Sequence, residues 1–238
     1  MKIQAFILLF VLISCQKPKP VIQTKDTASV NKTETINKQE NISKIDTISI
    51  AEIGEKSTDN YILAYLLDEK MDKDSIVTRK YKLDFYQNKI KTVSSKITIN
   101  LFQKGSEWSA HYGLGNENDN SSPFIQIDFG YPACDYTQNH YLYHLKNNDL
   151  QLVYEWYTMS GSSGSWVEFE NSKENPETIY CKTVAFETDD NDENMGTVTH
   201  SDSTVFRLIG NKWKSQLLSA KDKNYFEKKM SFDEFQKQ

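Results

Sequence analysis

The densest group of residues able to do chemistry is aromatic. Tyr154, Trp156, Tyr157 and Trp166 gather around Ser160-Gly161-Ser162-Ser163-Gly164-Ser165. Flat rings with a polar handle offer sugar rings or protein partners a large contact area at little entropic cost. Alternation along a strand sends Trp156 and Tyr157 to opposite faces, so one of them faces outward unless a second layer covers it. Core packing is the competing use of these rings. The carboxylates Asp128, Glu155 and Glu168 also stand beside aromatics, as the acid pair of a glycoside hydrolase would require, but their spacing pairs no two of them. Of the four histidines, His111, His140, His144 and His200, the pair at 140 and 144 has the spacing of metal ligands on a helix. On a strand, which the neighbouring Tyr141 and Tyr143 favour, the two would lie about 13 Å apart, too far to share one zinc. Gly161-Ser162-Ser163-Gly164 misses the GxSxG nucleophile elbow by one place, and neither HExxH nor a P-loop occurs. These patterns point to a non-catalytic binding or interaction domain, with a hydrolase of envelope glycans or peptides and a structural factor in envelope assembly as the other readings.

Two acidic runs raise calcium, the one cofactor the sequence brings up. Asp189-Asp190-Asn191-Asp192-Glu193-Asn194-Met195-Gly196 offers oxygens from Asp190, Asp192 and Asn194 at the odd-position spacing of an EF-hand loop. Its glycine comes one place late, and Ser201 stands where the bidentate glutamate belongs. A solvated acidic loop is the competing reading. Between the apolar runs of Tyr61 to Val77, Asp68, Asp72 and Asp74 fall at the first, fifth and seventh places of a loop. This stretch resembles the DxDxDG calcium hairpins of FG-GAP and VCBS propeller repeats, which implies a hairpin here. Lys70 replaces a ligand of that pattern and Lys73 its glycine.

The elements that must position these residues read as strands. Ile125, Ile127, Phe129 and Tyr131 alternate with Gln126, Asp128 and Gly130, which gives one apolar and one polar face. Tyr141 to Leu145 and Leu150 to Tyr157 flank Lys146-Asn147-Asn148-Asp149 as a hairpin with a four-residue turn. A second hairpin joins Tyr154 to Met159 with Trp166 to Phe169 across the Gly/Ser loop. Further strands are expected at Ser75 to Tyr86, Lys89 to Phe102, Trp108 to Tyr112, Ile179 to Glu187, Thr197 to His200, Thr204 to Ile209 and Lys212 to Leu217. Ala220 to Met230 suits a helix, and Ser231-Phe232-Asp233-Glu234 has the capping-box form. The expected fold class is all-β, a mainly antiparallel meander of about ten strands closing as a sandwich or open barrel, with a short C-terminal helix. A small propeller-like arrangement is the alternative. Residues 58–238 form this domain, and roughly 180 residues suffice for a proper core.

Residues 15–57 are rich in Lys, Thr, Asn, Gln, Glu and Ser, with isolated isoleucines and no sustained period. Such a segment reads as a flexible tether with a reach on the order of 35 Å. Ahead of it, Met1-Lys2 and an apolar run from Ile3 to Ile13 have the form of a signal peptide over residues 1–14, too short for a stable membrane span. Leu12-Ile13-Ser14-Cys15 resembles the lipobox of bacterial lipoproteins. That resemblance implies cleavage after Ser14 and acylation of Cys15, so the membrane is the first expected partner and the envelope, at an outer-membrane face, the expected location. Two acyl chains hold a protein on a bilayer where one does not.

The formal charge is −5, or about −6 without Lys2. With Arg79 and Arg207 the only arginines, the clustered cations that neutralise a phosphate backbone are missing, so nucleic acid is not an expected partner. Export leaves Cys134 and Cys181 in an oxidising compartment. There they are expected to pair, closing a loop worth about 4 kcal/mol in the chain-entropy model, with free or metal-binding thiols as the alternative.

Overall fold

A computed structural model describes residues 43–50, 59–115, 121–131, 137–159, 164–171, 175–235 and 237 of the chain. Thirteen strands and one short helix follow one another in it. They are β1 (Ser43–Ser49), β2 (Tyr61–Met71), β3 (Val77–Gln87), β4 (Ile90–Ile99), β5 (Glu107–Tyr112), β6 (Phe124–Gly130), β7 (Thr137–Lys146), β8 (Asp149–Met159), β9 (Gly164–Asn171), β10 (Thr178–Asp189), β11 (Asp192–Ile209), β12 (Lys212–Leu217), β13 (Phe226–Ser231) and α1 (Phe232–Phe235). Among the described residues the fold is an all-β antiparallel meander with no closed barrel.

A four-stranded sheet runs β1-β2-β3-β4, and a larger one runs from β12 through to β5, with β13 added beside β11. The larger sheet is nearly cut in two. Among the described residues β8 and β9 share the single pair Met159↔Ser165, so β5–β8 and β9–β13 act as separate leaves. At its other end β8 is tied across to β12 by the side-chain amide of Gln151, which donates to the Trp213 carbonyl (2.8 Å) and accepts from the Trp213 N–H (2.9 Å).

Alternation on β5–β8 decides which layer each residue meets. Ala110, Tyr112, Ile125, Ile127, Phe129, Tyr141, Tyr143 and Leu145 point one way, into a core shared with Ile48, Ile62, Ala64, Tyr81, Leu83, Phe85, Ile97 and Ile99 of the four-stranded sheet. Phe124, Leu142 and Trp156 point the other way and meet Ile179, Cys181, Phe206 and Trp213 of the second leaf. The leaf β5–β8 is therefore the middle of three layers. A third, smaller cluster joins Val184, Phe186, Val198 and Met230 beneath Trp166 and Phe235.

Turn chemistry fixes the register. Asn147 and Asn148 (φ 53° and 60°) and Asn88 and Lys89 (φ 50° and 65°) are left-handed in two-residue turns closed by Lys146↔Asp149 and Gln87↔Ile90. This is the twist that hairpins favour and that asparagine tolerates. The turn after β7 thus has two residues, not four. In the turn between β2 and β3, the Asp72 carboxylate accepts the N–H groups of Asp74 (2.8 Å) and Ile76 (2.9 Å).

Other expectations need correction. Ser43–Ser49, assigned to the tether, is a strand paired along β2, and its Ile48 is buried. Ile48 and Ile50, both buried, alternate with Thr47 and Ser49 to give a half-buried edge, and this period-2 pattern is short enough to be lost in its polar surroundings. The helix expected over 220–230 is absent. Its second half is β13, whose Phe226–Ser231 pair with Met195–His200 of β11; the neighbouring strand edge outweighs local helical propensity, which tertiary context routinely overrides. The short helix is α1 alone. It has the expected capping box, with the Ser231 hydroxyl accepting from the Glu234 N–H and the Glu234 carboxylate accepting from the Ser231 N–H, both at 3.2 Å. The two strands expected at 197–200 and 204–209 are one long strand, β11, which bulges where Asp202 takes φ 48°.

Candidate functional site

The middle layer turns a mixed face toward the second leaf. At the end carrying Phe124, Leu142 and Tyr154 this face is closed by Phe206 and Trp213. At the other end the two leaves part and leave a cleft of about 520 Å³, lined by His111, Gln126, His140, Trp156, Thr158 and Trp166 together with Leu114, Gly115 and Val167 to Phe169. A volume of this size falls within the range of small-ligand pockets.

Register brings the polar residues together. Ser109 and Asp128 are cross-strand partners on β5 and β6, as are Asp128 and His140 on β6 and β7, and His140 and Trp156 on β7 and β8. Asp128 is the hub. Its Oδ1 accepts from His140 Nδ1 (2.5 Å) and Gln126 Nε2 (3.0 Å), and its Oδ2 accepts from the Ser109 hydroxyl at 3.4 Å. His111 Nδ1 stands 3.9 Å from Oδ2. On the far side of the ring, His140 Nε2 lies 2.6 Å from the Thr158 hydroxyl oxygen. A carboxylate only accepts, so the proton on Nδ1 is fixed by Asp128. In the neutral imidazole Nε2 is then an acceptor, and the Thr158 hydroxyl must donate to it.

The His140 ring stacks on Trp156 at 5.1 Å and 11°, and Trp156 stacks on Tyr154 at 5.5 Å and 16°. With only 7% of its surface exposed, Trp156 lines the cleft as a packed ring rather than as an open platform. Its stack with His140 and the contact to Phe169 leave the imidazole little freedom to turn. On β9, Val167 and Phe169 pack toward Trp156, while Trp166 and Glu168 alternate with them and border the cleft from the strand's edge, Trp166 also resting on Phe235. Trp166 Nε1 donates to Glu168 Oε1 at 3.3 Å, and Lys182 Nζ pairs with Glu168 Oε2 at 3.1 Å.

The four aromatic candidates are thus divided. Trp156 and Trp166 reach the cleft, whereas Tyr154 packs against Phe206 and burial pushes its phenol up to about 12. Tyr157 lies on the opposite face of β8 and is 58% exposed. Of the three carboxylates, Asp128 and Glu168 flank the cleft from its two sides, while Glu155 points away on an exposed position. His140 belongs to the site. His144, two positions further along the same face, packs against Phe124 and Trp213.

The acidic run at 189–196 is not a twelve-residue loop. β10 ends at Asp189 and β11 begins at Asp192, paired to each other, so Asp190 lies in a two-residue turn and Asp192 and Asn194 lie on the strand. The Asp192 carboxylate accepts the N–H of Asn194 and the Asp189 carboxylate that of Asn191, and Lys229 pairs with Asp189. Among the described residues, no group of three or more His, Cys, Asp or Glu side chains is placed to hold a metal ion. Cys181 carries no disulfide: it is a free thiol whose inward position beside Ile179 and Phe206 pushes it up to about 12 through burial. Cys15 and Cys134 lie outside the described residues, as do the signal peptide and the Gly/Ser loop at 160–163. Among the described residues no helix is long and apolar enough to cross a membrane.

Sequence reasoning picked out Asp128, Glu168, Trp156 and Trp166 but did not join His111, Gln126, His140 and Thr158 to them. The available signal was the even positions of β6 and β7, where Gln126, Asp128 and His140 alternate with Ile125, Ile127, Phe129 and Tyr141. Such a face reads as solvated until a second leaf is known to cover it. Comparison of the chain with protein-family models, with curated proteins and with solved structures finds no match.

Proposed function

We propose that this is a binding domain of the cell envelope that takes a neutral, hydroxyl-rich ligand, a short glycan, in the cleft between β5–β8 and β9. The observation that carries this reading is the lining itself. Two tryptophans and Phe169 supply apolar wall, and His111, Gln126, Thr158 and Glu168 supply donors and acceptors around one opening. Apolar rings beside a few placed polar groups are what orient a small polar ligand. The lipobox-like end and Cys15 support an exported, lipid-anchored chain, in which the cleft would face envelope material.

Two experiments test it. Titration of the full chain with chitotriose, followed by tryptophan emission, should give a saturable change that Trp166→Ala removes while the fold is kept. No saturable change with chitotriose or other neutral oligosaccharides would refute the ligand class. Mass spectrometry of the chain from expressing bacteria should find a diacylglyceryl-modified Cys15 at the amino terminus. An unmodified or differently placed terminus would refute the anchor.

A further inference from the structure

The cleft holds more than binding requires. Thr158, His140 and Asp128 form an in-line chain of hydroxyl, imidazole and carboxylate, with 2.6 Å and 2.5 Å between successive atoms. Those three roles, recognised by geometry and not by chain order, define an activated hydroxyl nucleophile. The imidazole is held in one tautomer by Asp128 and in one orientation by its stack on Trp156. Thr158, at the end of the chain, lines the cleft. Elsewhere on the same face, where no cleft opens, Phe124 and Leu142 fill the equivalent positions, so the strands themselves do not demand polar residues there.

We propose that this chain makes the domain a hydrolase of acyl esters carried by the ligand of the cleft, with Thr158 as nucleophile, His140 as general base and then acid, and Asp128 as its positioning partner. This rests on the glycan-binding reading above. In the first step His140 Nε2 takes the hydroxyl proton of Thr158, Oγ1 bonds to the ester carbonyl carbon, and the carbon–oxygen bond to the sugar breaks. The sugar oxygen leaves with the proton from His140, and the acyl group remains on Thr158. In the second step water gives a proton to His140 and its oxygen bonds to the acyl carbon. Thr158 departs, recovering that proton, and a free carboxylic acid is released. The imidazole of His111, on the same wall, is the donor available to the carbonyl oxygen as it gains charge.

The test uses the full chain with 4-nitrophenyl acetate and with O-acetylated chitotriose, and compares the parent with Thr158→Val, Thr158→Ser and His140→Phe. Circular dichroism and the thermal midpoint show that each variant folds. The parent and Thr158→Ser should release acetate, and a brief incubation followed by peptide mapping should find one acetyl group on Thr158. Thr158→Val and His140→Phe should lose at least ~10²-fold of the rate, the scale of a general base. Parent turnover no faster than that of Thr158→Val, or acetyl found only on other residues, would overturn the proposal. If chitotriose still changes tryptophan emission while turnover is absent, the relay fails and the binding reading stands. If both are absent, both fail.

Discussion

The two faces of β5–β8 are built on the same backbone and differ in what they are for. One face meets the four-stranded sheet through Ile125, Ile127, Phe129, Tyr141 and Tyr143. Its polar side chains are tied off locally or across the layers: Tyr143 reaches the Ser95 hydroxyl at 3.2 Å and Tyr141 the Thr98 carbonyl at 3.5 Å, and the buried Asn139 amide donates to the Phe129 carbonyl at 3.4 Å. Burial pushes the Tyr143 phenol up to about 12, although its bond to Ser95 pulls the other way. The opposite face carries Ser109, His111, Gln126, Asp128, His140 and Thr158 at one end, linked to one another and open to a cleft. Burying polar groups is unfavourable unless each finds a partner, and on this face they find one another. The first face supplies stability. The second gives up part of its apolar area for a preorganised polar cluster, the arrangement expected where function overrides the best core.

The largest test of this division is a truncation on the dry face. Ile127→Ala removes a fully buried side chain and should cost about 3–4 kcal/mol in urea unfolding, with glycan binding unchanged in the fraction that remains folded. On the second face, Asp128→Asn leaves His140 without its charged acceptor and should cost about 1–2 kcal/mol while abolishing turnover. If it cost as much as Ile127→Ala, the polar cluster would be a structural core and the contrast between the faces would fail.

Acid should also separate the faces. Burial, then the charge of Lys146, holds His144 below its ordinary 6.5. The folded state binds this proton less readily than the unfolded chain, so the stability due to His144 is fully present above 6.5 and lost as pH falls through its lower folded value. His144→Phe should flatten the slope of unfolding free energy against pH just below 6.5, whereas Ile127→Ala should shift the curve without changing that slope. The smallest expected effect belongs to Tyr157, which lies on the first-face side of β8 beyond the covering sheet. Tyr157→Ala should change stability by no more than about 0.5 kcal/mol and leave chitotriose binding unaltered.

Much of the fold was legible because period 2 is a local signal. Ile125 to Phe129 revealed a strand and its inward face, and Ser231 with Glu234 marked the start of α1. Elements decided by distant partners were not legible. Phe226–Ser231 is a strand because the edge of β11 lies beside it, and Ser43–Ser49 because β2 does. The site failed to emerge for the same reason. His140, Asp128 and Thr158 are 12 and 18 residues from one another along the chain and meet only through register, whereas the aromatic group at 154 to 166 stood out because it is close in sequence. Half of that group belongs to the core or to the outer surface.

The most direct test is the response of the four tryptophans to ligand. Each indole N–H gives its own resonance in a nitrogen-15 spectrum. Trp156 and Trp166 line the cleft, whereas Trp108 packs in the first core and Trp213 in the closed end of the second. On titration with chitotriose, the indole signals of Trp156 and Trp166 should move together and saturate while those of Trp108 and Trp213 stay in place. Movement confined to Trp108 or Trp213, or no movement at all across a panel of neutral glycans, would contradict the account of this cleft as the ligand site.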